Sequence, residues 1–159
     1  MDKNGFTLIE ISLVMAISVI LMTLTTISLI SYQQNTYVQT SIEQLMSDIK
    51  YQQISAMNGA TEGEVSAQRF GIHFDTNSYT LFHGDTYNAL EPTNFTVSLD
   101  HNLSFASVEF AQNELLFERG SGEILNFVDG ENTITVQDGG NNTQVEIAID
   151  KLGTITQIQ

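Results

Sequence analysis

The run FTLIEISLVMAISVILMTLTTISLIS, from Phe6 to Ser31, contains one ionisable side chain, Glu10. As a helix it is long enough for the hydrocarbon core of a bilayer, which takes about 20 apolar residues. The chain of 159 residues, 42% of them hydrophobic, then has material for one such anchor and one compact domain of about 100 residues, but not for two. The flanks give an orientation. The α-amine and Lys3 precede the run, whereas the next basic residue is Lys50, so the N-terminus is expected in the cytoplasm and the remainder outside. A secretory signal has a shorter apolar region closed by a small-residue cleavage site. Here the run passes straight into a helical pattern, which makes a cut after Ser28 the lesser reading. An uncleaved single-pass anchor accounts for the hydrophobicity and for Lys3, but it leaves Glu10 unexplained.

A carboxylate in an apolar helix is disfavoured by about 2.5 to 3.5 kcal/mol near the bilayer centre, and less near an end, so such a residue calls for a partner. Glu10 has no cation at helical spacing on its own chain. A cut between Gly5 and Phe6 would create one: the new α-amine of Phe6 lies at the same membrane level on every copy, and a Glu10 to Phe6 ion pair between copies would neutralise both groups. The competing reading is a glutamate at the interface with its head in water, and on the residues alone the two stand level.

The stretch Gly5-Phe6-Thr7-Leu8-Ile9-Glu10, with Lys3 in a short polar leader before it and about 20 apolar residues after it, resembles the class III signal of type IV pilins and pseudopilins. The resemblance implies that a prepilin peptidase cuts after Gly5, that the new N-terminal Phe6 is methylated, and that Glu10 guides assembly with other pilin or pseudopilin subunits. It implies residence in the bacterial inner membrane, with the domain outside, before entry into a filament. In detail the likeness covers residues 1 to 31. Relatives often break the membrane half of the helix with Pro or Gly, whereas this chain has neither between Phe6 and Asn58.

Past the apolar run, Val38, Ile42, Leu45 and Ile49, with Met46, Ile54 and Met57 nearby, keep a spacing of three and four, so the helix is expected to continue as an amphipathic one and to stop near Asn58 and Gly59. The period then changes to two, as in Phe70, Ile72 and Phe74 or Val145, Ile147 and Ile149. Further strands are expected at Tyr79–Phe82, Phe95–Leu99, Leu103–Phe110, Leu115–Glu118, Thr133–Gln137 and Gly153–Ile158, separated by turn chemistry such as Gly120-Ser121-Gly122 and Asp150-Lys151-Leu152-Gly153. The expected fold is α+β, a long N-terminal helix packed on an antiparallel β domain of two sheets. Its divisions are a leader over residues 1–5, a transmembrane half over 6–31, an amphipathic half over 32–58 and a β domain over 59–159. With no cysteine and a closing three-strand meander from Thr133 to Ile158, the layout is similar to the small minor pseudopilins of the H type and to related minor pilins.

Nineteen acidic residues against five basic ones give a net charge of −14, so nucleic acid would be repelled over most of the surface and is not an expected partner. The tail after Lys151 carries no basic residue either. His73, His83 and His101 are the only histidines, and although His73 and His83 could lie across one hairpin, a zinc site needs three or four converging ligands, so ordinary strand-surface histidines are the better reading. Asp129-Gly130-Glu131-Asn132 and Asp138-Gly139-Gly140-Asn141 offer oxygens suited to calcium, but match no defined loop and are equally ordinary turns. Gly120-Ser121-Gly122 lacks the spacing of a nucleophile elbow, and no Ser-His-Asp set can be assembled. No cofactor and no enzymatic activity are expected. Two readings of function remain: a structural minor pseudopilin or pilin subunit acting in filament initiation or protein secretion, and a monomeric membrane-tethered ligand-binding module. The Gly5-Phe6 to Glu10 unit separates them, because a simple tether has no use for it.

Overall fold

The computed structural model describes residues 7–63, 65–100, 102–140 and 143–158, and their side chains except those of 25–36. The chain divides into two compact units, Met1–Gln39 and Thr40–Gln159. A helix, α1, spans Leu8–Met57. Without Pro or Gly in this stretch, every residue keeps a backbone donor and pays no glycine entropy. Its end is a Schellman motif: Gly59 takes φ +65, its N–H donates to the Ala56 carbonyl, and the Ala60 N–H donates to the Ser55 carbonyl. Asn58 and Gly59 thus stop the helix where their chemistry predicted.

In the second unit, Ile42, Leu45, Ile49 and Ala56 form the buried stripe of α1. They face two antiparallel sheets. Strands β1 (Phe70–Phe74), β2 (Ser78–His83), β3 (Phe95–Ser98) and β5 (Glu114–Phe117) make one, in the order β3-β2-β1-β5; β4 (Leu103–Val108), β6 (Thr133–Asp138), β7 (Thr143–Ile149) and β8 (Ile155–Ile158) make the other, in the order β4-β6-β7-β8. The register places Ile72 opposite both Leu81 and Leu115 in the first sheet, and Ile134 opposite Ile147 in the second. Alternation then sends Phe70, Ile72 and Phe74 to one face together, as period two requires. The sheets meet where Phe105 of β4 stands edge-on to Phe74, with ring centroids 5.1 Å apart. All eight expected strands are present, and β6, β7 and β8 form the expected closing meander. A 3-10 turn at Ala111–Asn113 and a bulge in β4 between Phe105 and Ser107 were not expected.

Polar side chains on the buried face of α1 tie it to both sheets. Gln52 Nε2 donates to the Gly71 carbonyl of β1 at 2.8 Å, while Gln53 Nε2 donates to the carbonyls of Gly122 and Leu152, one in each of two turns. Lys50 Nζ donates to Gln53 Oε1 at 2.7 Å and so orients that amide. Tyr79 is 1% exposed and its hydroxyl donates to Asp48 Oδ2 of α1 at 2.6 Å. Burial, then the hydrogen bond to this carboxylate, push the phenol well above its ordinary value of 10.0. In the unfolded chain the phenol ionises above about pH 10, whereas the folded protein holds its proton. The unfolded state then binds fewer protons, so stability falls as pH rises. Urea unfolding from pH 8 to 11 should show this alkaline loss in the wild type and a shallower one in Tyr79→Phe; parallel slopes would refute the assignment.

Candidate functional site

Gly5 and Phe6 lie outside the described residues. Glu10 is described, in the first turn of α1. Its N–H donates to Thr7 Oγ1 at 3.3 Å, and the Thr7 N–H donates to Glu10 Oε2 at 3.4 Å. This reciprocal pair is a capping box, in which a threonine and a glutamate three residues on satisfy two orphan donors of the helix start. The negative carboxylate also sits at the positive end of the helix dipole. Thr7-x-x-Glu10 has the spacing that signals such a box, so the signal was in the sequence, but the reading of Glu10 as an apolar-helix anomaly passed over it. The carboxylate therefore has a partner on its own chain, and it remains exposed, open to a second.

Within and beyond this turn the helix presents apolar side chains to its surroundings at every azimuth: Leu8 is 89% exposed, and Ile9, Leu13, Val14, Met15, Val19 and Met22 are also exposed. The hydroxyls among them are already paired. Ser12, Ser18 and Thr23 donate to the carbonyls of Ile9, Val14 and Val19. Among the described residues, no helix is long and apolar enough to cross a membrane. The expected span over 6–31 includes Phe6 and the side chains of 25–31, which are not described.

In the β domain the two described histidines, His73 and His83, do not converge. His83 pairs with Phe70 and His73 with Thr80, so they stand apart along the hairpin. His83 Nε2 bonds Thr93 Oγ1 at 2.8 Å, and His73 stacks on Tyr87 at 4.0 Å between ring centroids; His101 is outside the described residues. No group of three His, Asp or Glu side chains able to hold a metal occurs among the described residues. Of the two turns considered for calcium, one spends Asp138 Oδ1 on the Gly140 N–H at 2.7 Å, and the other spends the Asn132 amide on the Ile149 carbonyl; Asn141 is not described. The described cations are held by acceptors of the domain. Arg69 bridges Glu118 and Asp85, Lys151 meets Glu123, Lys50 meets Gln53 and Arg119 donates to the Ala67 carbonyl. The Arg69 hydrogen bond holds the Glu118 carboxyl below the usual carboxylate range.

A capped apolar helix in one unit, continuing into a second unit where it packs on two four-stranded antiparallel sheets, is an α+β pilin-like arrangement. Residues 1–26 match the family of the prokaryotic N-terminal methylation motif, which is the class III prepilin signal of type IV pilins and pseudopilins. The signal supports a pilin-like or pseudopilin-like subunit, and it implies membrane anchoring before assembly and processing by a prepilin peptidase. No curated protein and no solved structure matches the chain.

Proposed function

We propose that the chain is a structural subunit, not an enzyme, of a type II secretion or type IV pilus-like filament. The precursor is held in the inner membrane by a single pass over residues 6–31, with the β domain outside. Prepilin peptidase removes residues 1–5, Phe6 becomes the N-methylated terminus, and Glu10 pairs with the Phe6 amine of a neighbouring subunit during assembly through α1. Within the filament it acts as a minor subunit of the H type, in initiation or secretion; the β6-β7-β8 meander and the absence of cysteine support this placing. The observation that carries the proposal is the methylation-motif match over residues 1–26, joined to a carboxylate at Glu10 that is capped on one side and exposed on the other.

Mass spectrometry of the protein extracted from its host membrane tests the proposal. The expected product begins at N-methylated Phe6. An intact Met1, or a start near Leu29, would reject it. Replacing Gly5 by a bulky residue should leave the uncut form in the membrane, because the peptidase needs a small residue at that position.

A further inference from the structure

Side chains along β5 alternate between the two faces of its sheet. Leu115 and Phe117 are buried in the core, so Glu114 and Leu116 point to the opposite side, where Leu116 is buried as well. A groove of about 210 Å³ lies on that side. The Asn113 N–H donates to the Phe110 carbonyl and closes the turn that forms one wall, while the Leu125 N–H donates to the Leu116 carbonyl and sets residues 125–131 beside β5 as the other. Phe110, Leu116, Leu125 and Val128 give the groove its apolar lining, and Val128 is 50% exposed.

The rim is acidic. Asp85, Glu109, Glu114 and Glu131 line the groove, and no Lys or Arg does. Two of these carboxylates are answered from within the domain: Arg69 holds Asp85 at 2.6 Å, and His73 Nδ1 stands 3.3 Å from Glu114. Glu109 and Glu131 are exposed and meet no cation among the described residues. A cleft lined by one sign of charge, with low-dielectric walls, focuses its field on an incoming counter-charge.

This lining selects its occupant. An anion is repelled, and among the described residues no three His, Asp or Glu side chains gather closely enough to hold a metal ion. The volume of about 210 Å³ lies below the range of about 300 to 1,000 Å³ typical of small-molecule sites, and suits one or two side chains of another protein. A second copy does not fit. At a net charge of −14 two copies repel, the described basic residues are held by acceptors of their own domain, and Lys3 precedes the apolar run. We propose that this groove docks an apolar side chain flanked by Lys or Arg, presented by a different protein, with the apolar group against Leu125 and Val128 and the cations at Glu109 and Glu131. Such docking goes beyond the subunit reading and is independent of it, since it uses the β domain alone and no residue of the apolar run.

The probe is the peptide acetyl-Lys-Lys-Leu-Lys-Lys-amide, titrated by calorimetry into the full chain in non-ionic detergent. Glu109→Gln with Glu131→Gln removes two rim charges and keeps the acceptor that Glu109 offers to Thr133 Oγ1. This double variant should bind about 5-fold more weakly, as the loss of two exposed ion pairs implies. Glu43→Gln with Glu62→Gln removes two exposed carboxylates that do not line the groove, and should change binding by less than about 2-fold. Exchanging the peptide leucine for serine should weaken binding about 10-fold through lost apolar burial. With photo-leucine at that position, irradiation and mass spectrometry should place the cross-link within residues 109–116 or 125–131. Docking at this groove is overturned by absence of binding, by equal losses in the two double variants, or by a serine peptide that binds as well as the leucine one. Cross-links outside the groove overturn it too.

Discussion

Replacing Glu10 by alanine is expected to lower incorporation into the filament or its minor-subunit complex by about 100-fold or more, the equivalent of the 3 to 5 kcal/mol lost when one half of a buried ion pair is removed. Processing and membrane insertion should remain intact, with insertion slightly easier once a carboxylate leaves an apolar helix. The capping box supplies a competing explanation, and Glu10→Gln separates the two. A glutamine can still accept from the Thr7 N–H, as the carboxylate does, but it offers no charge to a partner's Phe6 amine. If helix capping were the whole role, Gln would behave as wild type, and the alanine variant would lose about 1 kcal/mol. The ion-pair role makes Gln nearly as harmful as Ala, and it leaves Thr7→Ala mild. Co-purification of the three variants with the assembled complex is the measurement. Equal incorporation of wild type, Ala and Gln would remove the ion-pair mechanism for this subunit, and would fit a subunit at the very tip, with no neighbour above it.

The second large effect is expected at Gly153. This residue has φ +72, and a Cβ there would collide with the Gln53 amide and approach Phe117 Cε1 to 2.9 Å. Alanine would incur about 1 to 2 kcal/mol for the left-handed conformation. It would also push away the amide that serves the carbonyls of Gly122 and Leu152, leaving buried acceptors unpaired at about 1 to 3 kcal/mol. The sum, about 2 to 5 kcal/mol, is a large share of a domain's stability. Gly130→Ala is the control, because Gly130 also has positive φ but nothing stands within 4 Å of its Cβ. Urea unfolding of the full chain in detergent, followed by circular dichroism, should show Gly153→Ala far below Gly130→Ala. Equal losses would mean that the Gln53 clamp contributes nothing.

What the sequence made legible was what a local period or a short motif can carry. The switch from the three-and-four spacing of Ile42, Leu45 and Ile49 to the alternation of Phe70, Ile72 and Phe74 reports burial directly, and both elements were found where that pattern ended. Gly59 marked the helix stop for a reason of backbone geometry. The pairing order was not legible: β5 lies beside β1, and β4 crosses into the other sheet, choices made by packing between residues far apart in sequence. The same holds for Gln52 and Gln53, which the apolar spacing does not mark and which are buried, because their partners are carbonyls far away in sequence. At the N-terminus a second role was written in the sequence. Glu10 is a lone charge among apolar residues, and it is also the third residue after Thr7, the spacing of a capping box.

The paired hydroxyls of the apolar run bear on how such a helix changes surroundings. Ser12, Ser18 and Thr23 each donate to a carbonyl one turn back, so none of these three needs a partner from outside. A side chain that carries its own acceptor keeps the same bond in lipid, in water and against another helix. A move of this segment from lipid into a protein interior would therefore exchange only dispersion contacts at those three positions, close to neutral for their hydroxyls.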